Sequence, residues 1–162
     1  MNNDLTAYYK SKGIVHQTTA PYTPEQNGAV ERLNHVLVEK ARSMLYESTL
    51  PQEYWAEAIV TANYLRNLSP TSSRPKTPWE LYYSHKPDVS NLYMFGSTAH
   101  IHIPQQQRSK LDQVSIKGNF VGYEPASKAY RIVVPITTNF VKFKIMVSCN
   151  VIFDETPQPN LL

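Results

Sequence analysis

Val30, Leu33, Leu37, Ala41, Met44 and Leu45 recur at steps of three and four, and that spacing constrains the chain more than any other feature. Such steps align side chains in one stripe along a helix. The stripe predicts a helix running to about Ser48, with one side buried against a sheet. Thr23 ahead of Pro24 fits an N-cap followed by proline in the first turn, where a missing N–H costs nothing. Gly28 inside this pattern costs up to about 1 kcal/mol relative to alanine. It implies either a close approach by another backbone or a ligand, or a frayed first turn.

A second helix is predicted from Gln52 to Asn67, opened by Pro51, with Tyr54, Trp55, Ala58, Ile59, Ala62 and Leu65 as its apolar set. Ahead of both, residues 4–12 read as a short helix ending at Gly13, followed by a strand from Ile14 to Gln17. Ser69 to Pro78, with three prolines, reads as a linker. Trp79 to Tyr83 then makes a helical turn that Lys86-Pro87-Asp88 breaks. From about Leu92 the signal changes to short β-rich segments: Ala99–Ile103, Gly118–Tyr123, Ala129–Val134 and Phe143–Val147, with Asn150–Phe153 a candidate last strand. The fold class is α+β.

Composition narrows the setting. A chain of 162 residues fits one domain or two small ones. No apolar run is long enough to span a membrane, and Met1 leads into Asn-Asn-Asp without a signal-peptide pattern. The single cysteine, Cys149, forbids an internal disulfide and fits a reducing, intracellular compartment, nucleus or cytoplasm. Its expected role is a buried, inert thiol. A net charge of +3 leans towards polyanion partners but does not by itself indicate DNA binding.

One set of residues carries a family resemblance. Gly13-Ile14-Val15-His16, Pro21-Tyr22-Thr23-Pro24, Gln26-Asn27-Gly28 and Glu31-Arg32 open it. It continues through Ala41-Arg42-Ser43-Met44-Leu45, Leu50-Pro51, Tyr54-Trp55-Ala56-Glu57-Ala58, Ala62-Asn63-Tyr64-Leu65 and Lys76-Thr77-Pro78. It closes with Phe95-Gly96-Ser97, Phe120-Val121-Gly122-Tyr123 and Val151-Ile152-Phe153-Asp154-Glu155. In that order these residues resemble the end of the integrase core of Ty1/copia retrotransposons, with a yeast Ty5-like element as the narrower expectation. The resemblance implies a partial RNase H-like integrase core, mostly a helical remnant, over residues 1–68. A Pro-rich linker over 69–91, a small SH3-like β-barrel over 92–155 and a tail over 156–162 would follow. Phe140-Val141-Lys142-Phe143 lies in a hairpin region longer than the family's.

By the same resemblance, Glu31 is the third carboxylate of an Asp, Asp, Glu triad. Such a triad holds two divalent ions, Mg2+ or Mn2+, for in-line phosphoryl transfer. The family's two aspartates fall upstream of Met1, and Asp4 is followed by no glycine. The expectation is therefore a truncated fragment that binds no metal and catalyses nothing alone. Its implied partners are DNA, as retrotransposon ends and target, and a full-length integrase, with no membrane. A non-catalytic DNA- or integrase-binding module that interferes with a full-length element is the alternative, and a relic without function is another.

Asn27, Asn34 and His35 lie on the flank of the helix beside Glu31 and are the DNA-contact candidates, with plain solvation as the other reading. Arg108, Lys110, Lys117, Lys128 and Arg131 are either a nucleic-acid surface or scattered solubilising charge. His100 and His102 share a strand face, but one cysteine and no Cys-x-x-Cys spacing argue against zinc. Tyr8, Tyr9, Tyr54, Trp55, Trp79, Tyr82 and Tyr83 read as core and linker packing rather than a base-stacking platform.

Overall fold

A computed structural model describes residues 3–18, 20, 21, 23–71, 74–135 and 143–155. The longer hairpin region around Phe140 and the tail beyond residue 155 lie outside them. The chain forms two compact units, residues 1–36 and 37–162.

In the first unit, α1 spans Asn3–Ser11. Gly13, at φ +66°, closes it: the Ile14 N–H donates to the Tyr9 carbonyl at 2.9 Å and the Gly13 N–H to Lys10 at 3.3 Å. This is the left-handed helix stop that glycine makes cheaply. The strand expected from Ile14 to Gln17 does not form. A strand needs a ladder partner, whereas the Ile14 N–H is committed to the helix stop and Val15 is 82% exposed.

Helix α2 covers Gly28–Ser48, preceded by a 3-10 turn at Pro24–Asn27. Thr23 stands at the N-cap position, but its hydroxyl does not cap. It donates backwards to the Ala20 carbonyl at 2.6 Å instead. Gly28 is the first residue of α2 rather than an interior one, and an added Cβ there would meet nothing within 4 Å. Among the described residues, no other backbone approaches it.

The second unit contains the last turns of α2, a 3-10 turn at Gln52–Tyr54, α3 at Trp55–Leu68 and α4 at Pro78–Tyr83. Five strands follow: β1 Thr98–His102, β2 Ser115–Glu124, β3 Ala129–Pro135, β4 Phe143–Ser148 and β5 Val151–Asp154. They form one antiparallel sheet in the order β4-β3-β2-β1-β5. Each begins and ends within three residues of the segment that its β-rich composition marks.

Alternation along β2 and β3 gives this sheet two buried faces. Phe120 and Ile132 point one way, into a cluster with Ala99, Ile101 and Tyr123, against which Tyr64, Tyr93, Tyr130 and Phe153 pack. Val121 and Val133 point the other way, onto Ala41, Tyr54, Ala58 and Phe95. Only the last turns of the helical stripe find cover on the sheet: Ala41 is buried, with Met44 and Leu45 against the same cluster, whereas Val30 is 58% exposed. The outer face of β2 and β3 is itself core. Trp55 is a further correction. It is 63% exposed, and its neighbour Tyr54, at 6%, takes the buried place.

Candidate functional site

Glu31 lies in the first turn of α2 and is exposed. Asn34 and His35, three and four residues on, share its side of the helix and are exposed too. Asn27, also exposed, ends the 3-10 turn just before α2. The fold thus gathers Glu31, Asn34 and His35 on one flank and sets Asn27 at its entrance. Among the described residues no three His, Cys, Asp or Glu side chains come together as a cation site. Two Mg2+ or Mn2+ ions need several oxygen ligands. Glu31 by itself does not fit that requirement.

The basic candidates separate. Arg131 is committed to structure: its Nε donates to Glu57 at 2.8 Å and its Nη2 to the other Glu57 oxygen at 2.7 Å. Its Nη1 reaches Glu124 at 3.3 Å. Lys110, Lys117 and Lys128 are exposed, and Arg108 is half-buried. Cys149 is exposed in the β4–β5 turn, contrary to the buried thiol expected. Tyr8, Tyr82 and Tyr83 are each at least half exposed, so the expected packing role does not hold for them.

Sequence reading missed the residues that join α3 to the sheet. The ladder between β2 and β3 steps from Phe120↔Ile132 to Gly122↔Arg131, leaving Val121 bulged. The Thr61 hydroxyl, 2% exposed on α3, donates to the freed Val121 carbonyl at 2.8 Å. A Cβ on Gly122 would stand 2.6 Å from that hydroxyl oxygen, so glycine is needed for helix and bulge to meet. Glu57, one helical turn before Thr61, clamps Arg131 on the same strand pair. A glycine inside a β-pattern is the sequence signal that marks such a bulge.

Comparison with known proteins places this architecture. Residues 97–161 match the Retroviral polymerase SH3-like domain. The chain is 39% identical over 156 residues, 96% of its length, to the Retrovirus-related Pol polyprotein from transposon TNT 1-94 of Nicotiana tabacum. The chain is homologous to a segment of the copia-type retrotransposon Pol polyproteins. A second relative, the Pol polyprotein from transposon RE1 of Arabidopsis thaliana, is 31% identical over the same share. The chain spans about a tenth of the length of these relatives, 11% and 10%. An uncharacterized mitochondrial protein of Arabidopsis thaliana is 38% identical over 71 residues, 43% of this chain and 59% of that protein. These relatives are plant proteins and lend nothing to the narrower yeast expectation.

Several residues that carried the family resemblance have architectural roles in this copia-type segment. Phe95 is 6% exposed in the helix-facing cluster. Gly96 adopts φ +84°, and a Cβ there would overlap the Ser48 side chain at the end of α2. Its N–H donates to the Phe120 carbonyl at 2.7 Å, and its carbonyl accepts from Asn119 at 3.0 Å. Phe-Gly-Ser is thus the seam where α2, β1 and β2 meet.

Proposed function

We propose that this segment is the closing part of an integrase core with its SH3-like domain, and that it works in DNA integration only as part of a longer polypeptide. In this reading Glu31 supplies one metal-binding carboxylate, and preceding residues of the polyprotein supply the other two. Asn27, Asn34 and His35 contact DNA beside it, and the segment alone transfers no strand. The observation that carries this is the position of Glu31, exposed in the first turn of α2 and with no cation-ligand cluster around it among the described residues. The match over 96% of the chain to a Pol polyprotein supports it. When bound, the divalent ions would activate the attacking oxygen and stabilise the leaving one.

The test is an oligonucleotide strand-transfer assay in Mg2+ or Mn2+ on two proteins: this chain, and a polypeptide extended upstream to include both aspartates. The extended protein should join strands, and Glu31→Gln should abolish the joining. Metal-dependent joining by the chain alone that disappears in Glu31→Gln would overturn the proposed dependence on upstream residues. An extended protein indifferent to Glu31→Gln would remove Glu31 from the site.

A further inference from the structure

Around α4 the aromatic residues form a group in which Trp79 is half-buried and Tyr82, Tyr83 and His85 are exposed. Trp79 and Tyr83, four residues apart on one helical face, have ring centroids 4.3 Å apart. Tyr82 meets Tyr83 edge-on at 4.8 Å. His85 lies 6.0 Å from Tyr83 and 6.3 Å from Trp79. Tyr82 is 80% exposed and Tyr83 50%. These rings support one another while offering open faces to solvent.

Charges of both signs surround them. Lys76 and Lys86 are exposed; the Thr77 N–H first, and these lysines to a lesser degree, hold the Glu80 carboxyl below its ordinary range. Glu80 is occupied: it accepts the Thr77 N–H at 2.8 Å, and its own N–H is capped by the Thr77 hydroxyl at 3.0 Å. Asp88 is exposed and accepts the Ser90 N–H at 3.0 Å and the Ser90 hydroxyl at 2.6 Å. Hydrogen bonds fix both carboxylates in place without removing their charge, and the ammonium groups of the two exposed lysines offset it.

We propose that the α4 corner binds single-stranded nucleic acid, with Tyr82 and Tyr83 stacking on bases and Lys76 and Lys86 meeting phosphates. Exposed π-faces beside ammonium groups recognise a chain that repeats a planar base and a phosphate. A duplex has its base faces already stacked and can use only the lysines. An acidic peptide would likewise use the lysines and leave the rings idle. The site uses neither Glu31 nor strand-transfer chemistry, so it stands or falls apart from the integration reading.

The test uses the full chain and a fluorescently labelled oligothymidylate, read by anisotropy, with a duplex of equal length and an oligoglutamate as competitors. Tyr82→Ala and Tyr83→Ala should each weaken oligothymidylate binding by roughly tenfold, from the usual contribution of one stacked base. Joint Lys76→Gln and Lys86→Gln should flatten the dependence of log affinity on log salt by about 1.4. Tyr46→Ala, which removes an 87% exposed ring on α2, should change nothing. Tyr82 is so exposed that its alanine variant should melt like the parent, so the outcome does not hinge on folding. Unchanged affinity in Tyr82→Ala would overturn the proposal. So would duplex or oligoglutamate competing as well as unlabelled oligothymidylate.

Discussion

Replacing Thr61 by valine tests the joint between α3 and the sheet with almost no change in shape. The hydroxyl is the donor that the bulged Val121 carbonyl receives, at 2.8 Å from a side chain 2% exposed. Removing it leaves a buried acceptor unpaired, at a cost of about 1–3 kcal/mol. A methyl carbon at the same distance would also be too close, since a C···O contact settles near about 3.3 Å. Serine keeps the hydrogen bond and loses only a methyl, about 0.8 kcal/mol. Taking about 2–3 kcal/mol for valine and about 4 °C per kcal/mol for a unit of this size, Tm should fall by roughly 8–12 °C in Thr61→Val. In Thr61→Ser the fall should be roughly 3–4 °C. Thermal unfolding by circular dichroism, paired with urea titration followed by tryptophan fluorescence, gives both numbers. If Thr61→Val proves as stable as Thr61→Ser or more so, the hydrogen bond does not join helix to bulge and the account is wrong.

Gly96→Ala should destabilise by about 2–4 kcal/mol, combining a left-handed φ with overpacking against Ser48, and a denaturant titration measures it. Glu57→Gln weakens the two-point clamp on the half-buried Arg131 and should cost about 1–2 kcal/mol; Arg131→Lys should not restore the loss when the two are combined in a double-mutant cycle. At high pH, burial pushes the Tyr123 hydroxyl up to about 12 from an ordinary 10.0. The folded state therefore holds that proton longer than the unfolded chain does. Its contribution is complete below pH 10 and is lost as pH rises towards 12, so stability should decline across that window. Ultraviolet titration of tyrosinate should show part of the signal appearing only with unfolding, a component that Tyr123→Phe removes. Glu31→Gln, on an exposed helix position, should leave Tm within about 2 °C, and a thermal melt of the purified variant checks it.

Much of this architecture can be read locally. The α2 stripe and the second helix behind Pro51 are encoded in steps of three and four, the short helix in its stop at Gly13, and the five described strands in runs of β-formers, all visible within a dozen residues. The family motif likewise marks Glu31 without reference to anything folded. Errors arose where a residue's role depends on a partner distant in the chain. Ile14–Gln17 has strand-like composition but no ladder, Trp55 matches the apolar spacing but lies outside the core, and Arg131 looks like free surface charge until Glu57 comes alongside.

The sequence by itself thus determined the main helices and the strands of the sheet, which family the motifs resemble, and which carboxylate stands where that family's third ligand would be. Only the tertiary structure decided that the sheet needs α2 and α3 as its second wall. It also decided that Thr61 meets a bulge sixty residues away and that Tyr82 and Tyr83 face solvent instead of the core. The physical reason is that periodicity reports which side of an element is apolar, whereas the identity of what covers that side depends on three-dimensional pairing that no local window contains.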